Sequence, residues 1–176
     1  MRGIFRGGTL VQIFLLAILL VGCAEKLKTY EHSGEKIKIK YPLGWEIQEG
    51  ILGSVVIFNS DKEGENDRFQ ENLSVIVQDL GGQKITLEQY SAAVVNQIKH
   101  IIPSDQIMEA GTMTLSGNKG QKIVCRVAQG GFRLKLLQIW TIQGQKAYMI
   151  TFTAEEDKYL KYQGVVQKMI KSFKIL

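Results

Sequence analysis

Four acids, Asp61, Glu63, Glu65 and Asp67, recur at every second position, and a hard cation wants several oxygens converging in that way. An EF-hand loop beginning at Asp61 would need glycine at position 66 and glutamate at position 72, where this chain has Asn66 and Asn72. The run therefore reads as a solvated strand connection, with cation binding as its alternative. His32 and His100 have no second histidine or cysteine at ligand spacing and read as ordinary surface or helix-end residues. Cys125 shares an expected strand face with Ile123 and Val127, where a thiol serves as a small apolar side chain. A reactive thiol needs access and a depressed pKa, and alternation sends the adjoining Arg126 to the other face. No nucleophile elbow, phosphate loop or metalloprotease helix occurs. The expectation is a protein without catalytic residues, resident metal or cofactor.

Cys23 carries the one chemical role that the sequence defends. Arg2 and Arg6 precede an apolar stretch, residues 9–21, of 13 residues, too short for a membrane span of about 20 and matched to the apolar region of a secretory signal. Leu20-Val21-Gly22-Cys23 resembles the bacterial lipobox, which implies cleavage between Gly22 and Cys23 and diacylglycerol on the Cys23 sulfur. Two or three acyl chains, at about 0.8 kcal/mol per buried methylene, would anchor the product stably. Residues 1–22 are thus a lipoprotein signal peptide, and 154 residues remain, enough for one domain. Ala24 stands where some diderm lipoproteins carry a retention aspartate, so the expected place is the extracytoplasmic face of a cell membrane, the outer one in a diderm.

Removing the two leader arginines from a formal net charge of +5 leaves a weakly basic chain whose lysines alternate with acids. Nucleic-acid binders concentrate charge in stripes or clusters, so nucleic acid is not an expected partner. Lys36, Lys38 and Lys40 would either face anionic headgroups or blunt a solvated edge strand.

The elements that position these residues follow from periodicity. Residues 23–35 are polar and irregular, a flexible tether of at most ~45 Å at about 3.5 Å per residue, and the domain proper occupies residues 36–176. Residues 36–41 alternate as a half-buried strand before the turn Pro42-Leu43-Gly44, and short strands follow at 54–59 and 73–80. Thr86-Leu87-Glu88-Gln89 is a capping box, and the stripe Leu87, Tyr90, Val94, Ile98 and Ile101 predicts an amphipathic helix ending before Pro103. Extended runs at 108–115, 121–128, 134–142 and 146–154, joined by short glycine-containing turns, predict a meander. A second helix is expected over 155–172, with Glu155, Glu156 and Asp157 at its positive end. Leu136 and Trp140 on one face of a strand and Leu137 and Ile139 on the other require cover on both sides. The expected class is α/β (α+β), an antiparallel sheet meander with helices on both faces, a three-layer α/β/α sandwich.

These landmarks together resemble the PsbP family and the fold it shares with a Ran-binding nuclear import factor. The residues that carry the resemblance are Tyr41-Pro42-Leu43-Gly44-Trp45, Glu71-Asn72-Leu73-Ser74-Val75, Leu87-Glu88-Gln89-Tyr90, Ala147-Tyr148 with Thr151-Phe152-Thr153-Ala154, and Ile170-Lys171-Ser172-Phe173. The resemblance implies a non-enzymatic accessory or assembly factor. Plant members bind the lumenal face of photosystem II, and a cyanobacterial relative is itself a lipoprotein linked to assembly of that complex. Most landmarks are turn or core residues, which carry fold rather than function. The expected partner is a membrane protein complex, photosystem II in a photosynthetic organism. The alternative is a lipoprotein that captures a small ligand or metal between helix and sheet. A pocket with convergent polar groups would favour capture; a pocketless surface with an exposed apolar patch would favour docking.

Overall fold

The computed structural model describes residues 26–176, so the signal peptide, Gly22 and Cys23 lie outside the described residues. The first element corrects the expected tether. Leu27–His32 is a strand, β1, paired antiparallel with β2 (Ile37–Pro42), with Leu27 opposite Pro42 and His32 opposite Ile37. As an edge strand it buries only Tyr30 and leaves Lys28, Thr29 and Glu31 exposed, too few apolar positions for a visible alternation. His32 Nδ1 accepts a hydrogen bond from the Glu35 amide at 3.0 Å and closes the hairpin turn.

The chain continues through β3 (Glu46–Glu49), β4 (Val56–Asn59), β5 (Asn72–Asp79), α1 (Leu87–Ile101), β6 (Ile107–Leu115), β7 (Asn118–Gln129), β8 (Phe132–Gln143), β9 (Lys146–Glu155), α2 (Tyr159–Ser172) and β10 (Lys174–Ile175). The expected α+β class holds, but the strands form two antiparallel sheets in place of one. β1, β2 and β10 make the smaller, in the order β1-β2-β10, and the larger runs β3-β4-β5-β9-β8-β7-β6. Its β6 to β9 portion is the expected meander, and Gly130 and Gly131 supply the two positive φ angles, 60° and 84°, of a two-residue hairpin turn.

β9 carries its buried alternation through Ala154, and the Glu156 amide donates to the Arg133 carbonyl, so extended structure persists where a helix start was expected. α2 therefore begins at Tyr159, and the acids do not serve its N-terminus: Glu155 pairs with Lys158 at 2.9 Å and Glu156 with Arg126. α2 buries Tyr159, Val165, Val166, Met169 and Ile170 in a core with Ile37, Ile39, Phe58, Ile150 and Phe152. Ser172 Oγ accepts from the Lys40 amide at 2.8 Å and ties the helix end to β2. On β8, Ile139 faces this core while its neighbour Trp140 faces a second, small cluster with Ile123 and Val94 of α1. The two helices thus serve opposite faces of the larger sheet.

Candidate functional site

α1 is fastened chiefly through its N-terminal half. Thr86 and Gln89 form the expected capping box, Glu88 pairs with Lys119 at 3.5 Å, and the Tyr90 hydroxyl donates to Gln78 at 3.0 Å. Trp140 Nε1 donates to Ser91 Oγ at 2.8 Å, and that hydroxyl donates in turn to the Leu87 carbonyl at 2.6 Å. Only Val94 of the helix is buried, whereas Ile101, the last residue of the apolar stripe, is 70% exposed. An amphipathic helix ordinarily seals its stripe against the core. This one leaves a space beneath it.

That space is a cleft of about 930 Å³, near the upper end of the range for small-ligand pockets. Its wall includes Ile76, Cys125, Val127, Leu136 and Met149 from the sheet and Tyr90, Ala93, Val94 and Ile98 from α1. Amide side chains of Gln78, Gln97, Gln129 and Gln138 supply uncharged polarity, and Lys84 is its one charged lining residue. Burial pushes the Tyr90 hydroxyl and the Cys125 thiol above their ordinary pKa values, so both stay protonated near neutrality and neither is primed as a nucleophile.

At the C-terminal end of α1 the cleft adjoins a hollow of about 340 Å³, which shares Ile101, Ile102 and Val127 with it. Arg126, Arg133 and Glu156 line this hollow. β6 pairs with β7 only as far as Ile107 opposite Cys125, so the edge of β7 is open beyond that point and the hollow reaches residues from both faces. Glu156 holds Arg126; Arg133 has no salt-bridge partner among the described residues.

The acidic run that the sequence singled out sits elsewhere and is committed to structure. Lys161 binds Glu63 at 2.7 Å, the Tyr162 hydroxyl donates to the same carboxylate, and Lys158 binds Asp67 at 2.8 Å, clamping the loop onto the start of α2. The Lys161 ammonium beside Glu63 and the Glu63 amide donating to Asp67 hold both carboxyls below their ordinary range. Glu65 is exposed, and Asp61 lies against Gly44, where a Cβ would collide with its carboxylate. Glu71 is fully buried 3.8 Å from Lys158, and desolvation raises its pKa. Among the described residues no group of three or more His, Cys, Asp or Glu is disposed to hold a metal ion.

Of the remaining candidates, His100 is exposed at the end of α1, Lys38 pairs with Glu31 at 3.0 Å, and Lys36 and Lys40 face solvent. Cys125 is buried on the face with Ile123, as expected. Sequence reasoning named a space between helix and sheet only as an alternative and assigned it no residues, because an apolar stripe looks the same whether another element or a ligand covers it. A cluster of glutamines around that stripe and on the facing strands was the available signal.

The geometry is therefore that of a helix bridging a largely apolar cleft on an α+β scaffold. The PsbP family profile matches residues 25–175, and the chain belongs to that family. It is similar in structure to cyanobacterial PsbP (CyanoP) from Synechocystis sp. PCC 6803, with a TM-score of 0.62 and 20% identity over 89% of this chain and 95% of that one. It also resembles LpqN, involved in cell envelope biogenesis of Mycobacterium tuberculosis, with a TM-score of 0.58 and 11% identity over 86% and 91% of the two chains. The protein of unknown function PA94 from Pseudomonas aeruginosa matches with a TM-score of 0.56 and 12% identity over 81% and 92%. At these identities the likeness is one of fold. No curated protein matches the sequence, and no helix among the described residues is long and apolar enough to cross a membrane.

Proposed function

We propose that this PsbP-family protein is a lipid-anchored, extracytoplasmic accessory protein, not an enzyme, and that it works by holding a small apolar ligand beneath α1. The observation that carries the reading is the unburied half of the α1 stripe above an apolar floor, a surface that costs about 25 cal/mol per Å² for as long as water covers it. A ligand removes that cost. The family and the envelope setting of LpqN support the accessory role, and the lipobox supports the anchor.

Titration with an environment-sensitive naphthalene fluorophore tests the cleft. Saturable one-to-one binding is expected, weakened about tenfold or more, roughly 1.4 kcal/mol, in Ala93→Trp, which places an indole on the cleft wall. Equal affinity of the two proteins would overturn the assignment. For the anchor, radiolabelled palmitate should enter the wild type and not Cys23→Ala.

A second reading, docking on a membrane complex, is favoured by the tip of the β3–β4 hairpin. There Leu52 is 92% exposed beside the partly exposed Ile51, at the end of the strands away from Trp45. Loss of a surface crosslink to a membrane protein in Leu52→Asp, with fluorophore binding retained, would favour it over capture.

A further inference from the structure

We infer that the ligand is an acyl amphiphile with an anionic headgroup, its tail lying under α1 and its head at Arg126 and Arg133, received from the membrane to which the domain is tethered; this rests on the capture reading above.

The shape of the site selects a chain. Lining residues run from Lys84 and Ile85, before α1, to Ile101 and Ile102 at its end, a groove about 22 Å long at 1.5 Å per helical residue. In a bilayer the acyl chains of one leaflet fill about half of a ~30 Å hydrocarbon core, so an extended chain fits along the groove. No carboxylate lines it, which suits a tail.

The charges select the head. The hollow at the C-terminal end of α1 carries two guanidiniums against the single carboxylate of Glu156, and Arg133 has no salt-bridge partner among the described residues. A guanidinium presents a planar fork of donors that matches phosphate or carboxylate oxygens. Either anion would bring the local balance to neutrality.

The position of the mouth selects the source. Leu43 N donates to the Lys26 carbonyl at 3.0 Å, Trp45 stacks edge-on to Tyr162 in α2 with ring centroids 6.1 Å apart, and α2 follows directly after Glu156, the partner of Arg126. In the register of the larger sheet Glu46, next to Trp45, is level with Asn59, Asn72, Thr153 and Leu136, so the hollow beside Leu134 and the chain's exit toward Cys23 lie toward the same end of the strands. Two residues separate Cys23 from Lys26, a reach of roughly 10 Å, so a lipidated Cys23 holds this end at the bilayer surface. Ile101, 70% exposed, lines both the cleft and the hollow there.

The test uses the full lipidated protein in nanodiscs doped with one of three probes that carry the same tail diazirine: phosphatidylglycerol, phosphatidylcholine or a free fatty acid. After irradiation, crosslinked peptides are mapped. Anionic probes should label peptides containing Ile98, Val127 or Met149, and the more efficient of the two names the source. Arg133→Gln should reduce that labelling about tenfold, the effect of losing one charge-assisted hydrogen bond, while phosphatidylcholine stays low throughout. Equal cleft labelling by phosphatidylcholine and phosphatidylglycerol would refute the anionic head and leave capture standing. Label confined to residues outside the cleft, while the fluorophore still binds, would refute the amphiphile. Loss of both signals would remove capture as well.

Discussion

The face of the seven-stranded sheet that carries α2 buries Phe58, Ile150, Phe152 and, from the helix, Met169 to 1% exposure or less, whereas on the face that carries α1 the buried cluster is small, Ile123 and Trp140 with Val94 from the helix. Both helices are amphipathic and of similar length, so helix propensity does not separate them. What differs is what lies between helix and sheet. α2 is pressed onto its strands by interlocking side chains and stabilises the fold; α1 is held by a cap, an ion pair and two side-chain hydrogen bonds and spans its strands. Buried packing is concentrated on one side of the sheet and open volume on the other, a difference expected to appear in local free energies of opening.

Truncation on the two faces is the strongest way to break this contrast. Phe152→Ala leaves a cavity in a close-packed core and should cost about 3–5 kcal/mol in urea unfolding. Ile98→Ala, on the cleft wall, already borders open space and should cost less than about 1.5 kcal/mol. Comparable losses would mean that α1 seals its face after all.

Next in size is the clamp at the start of α2. Lys158 serves Asp67, Glu155 and the buried Glu71, and Lys158→Met would strand those carboxylates at a cost of about 3 kcal/mol, read by thermal unfolding. The hydrogen bond from Lys158 to Asp67 is also what raises the lysine pKa most, so its contribution is fully present at neutral pH and fades only in strong alkali. Glu71 runs the other way. Burial raises its folded pKa, so its ionisation costs stability at higher pH, and that cost is relieved as pH falls through the folded value toward the unfolded one near ~4.3. Asp67 and Glu63, both lowered, contribute stability above about pH 4 that is lost as pH falls through their folded values. Glu71→Gln should therefore gain on the wild type as pH rises from about 4 toward neutrality, by about 1.4 kcal/mol for each pH unit that separates the unfolded from the folded pKa. A pH-independent difference between the two proteins would show that Glu71 does not titrate in this window.

Local patterns were readable in the sequence and distant pairings were not, for a physical reason. The alternation of β9, the meander turns and the capping box at Thr86 are local patterns, and each appears where expected. β1 escaped because an edge strand needs only Tyr30 to be apolar, and the start of α2 escaped because β9 holds its register as far as Glu155. The acidic run suggested a cation, yet Lys158 and Lys161, about a hundred residues later, take its carboxylates, and no spacing rule reports so distant a partner. The cleft stood only as an alternative for the same reason: Leu87, Tyr90, Val94, Ile98 and Ile101 announce a face that wants cover, and periodicity cannot say whether the cover is protein.

The smallest expected effect sharpens the contrast most, because it touches α1 alone. Trp140→Phe removes the indole N–H that reaches Ser91 while keeping an aromatic ring in the small cluster. The Ser91 hydroxyl still donates to the Leu87 carbonyl, so no buried group is left without a partner and global stability should fall by only about 1 kcal/mol. If that hydrogen bond is one of the few restraints that keep α1 over the cleft, amide exchange should speed up along α1, roughly fivefold for the same 1 kcal/mol, and stay unchanged along α2. Exchange that accelerates equally in both helices would mean that the two faces open as one unit, and the division between a sealed and an adaptable side would fall with it.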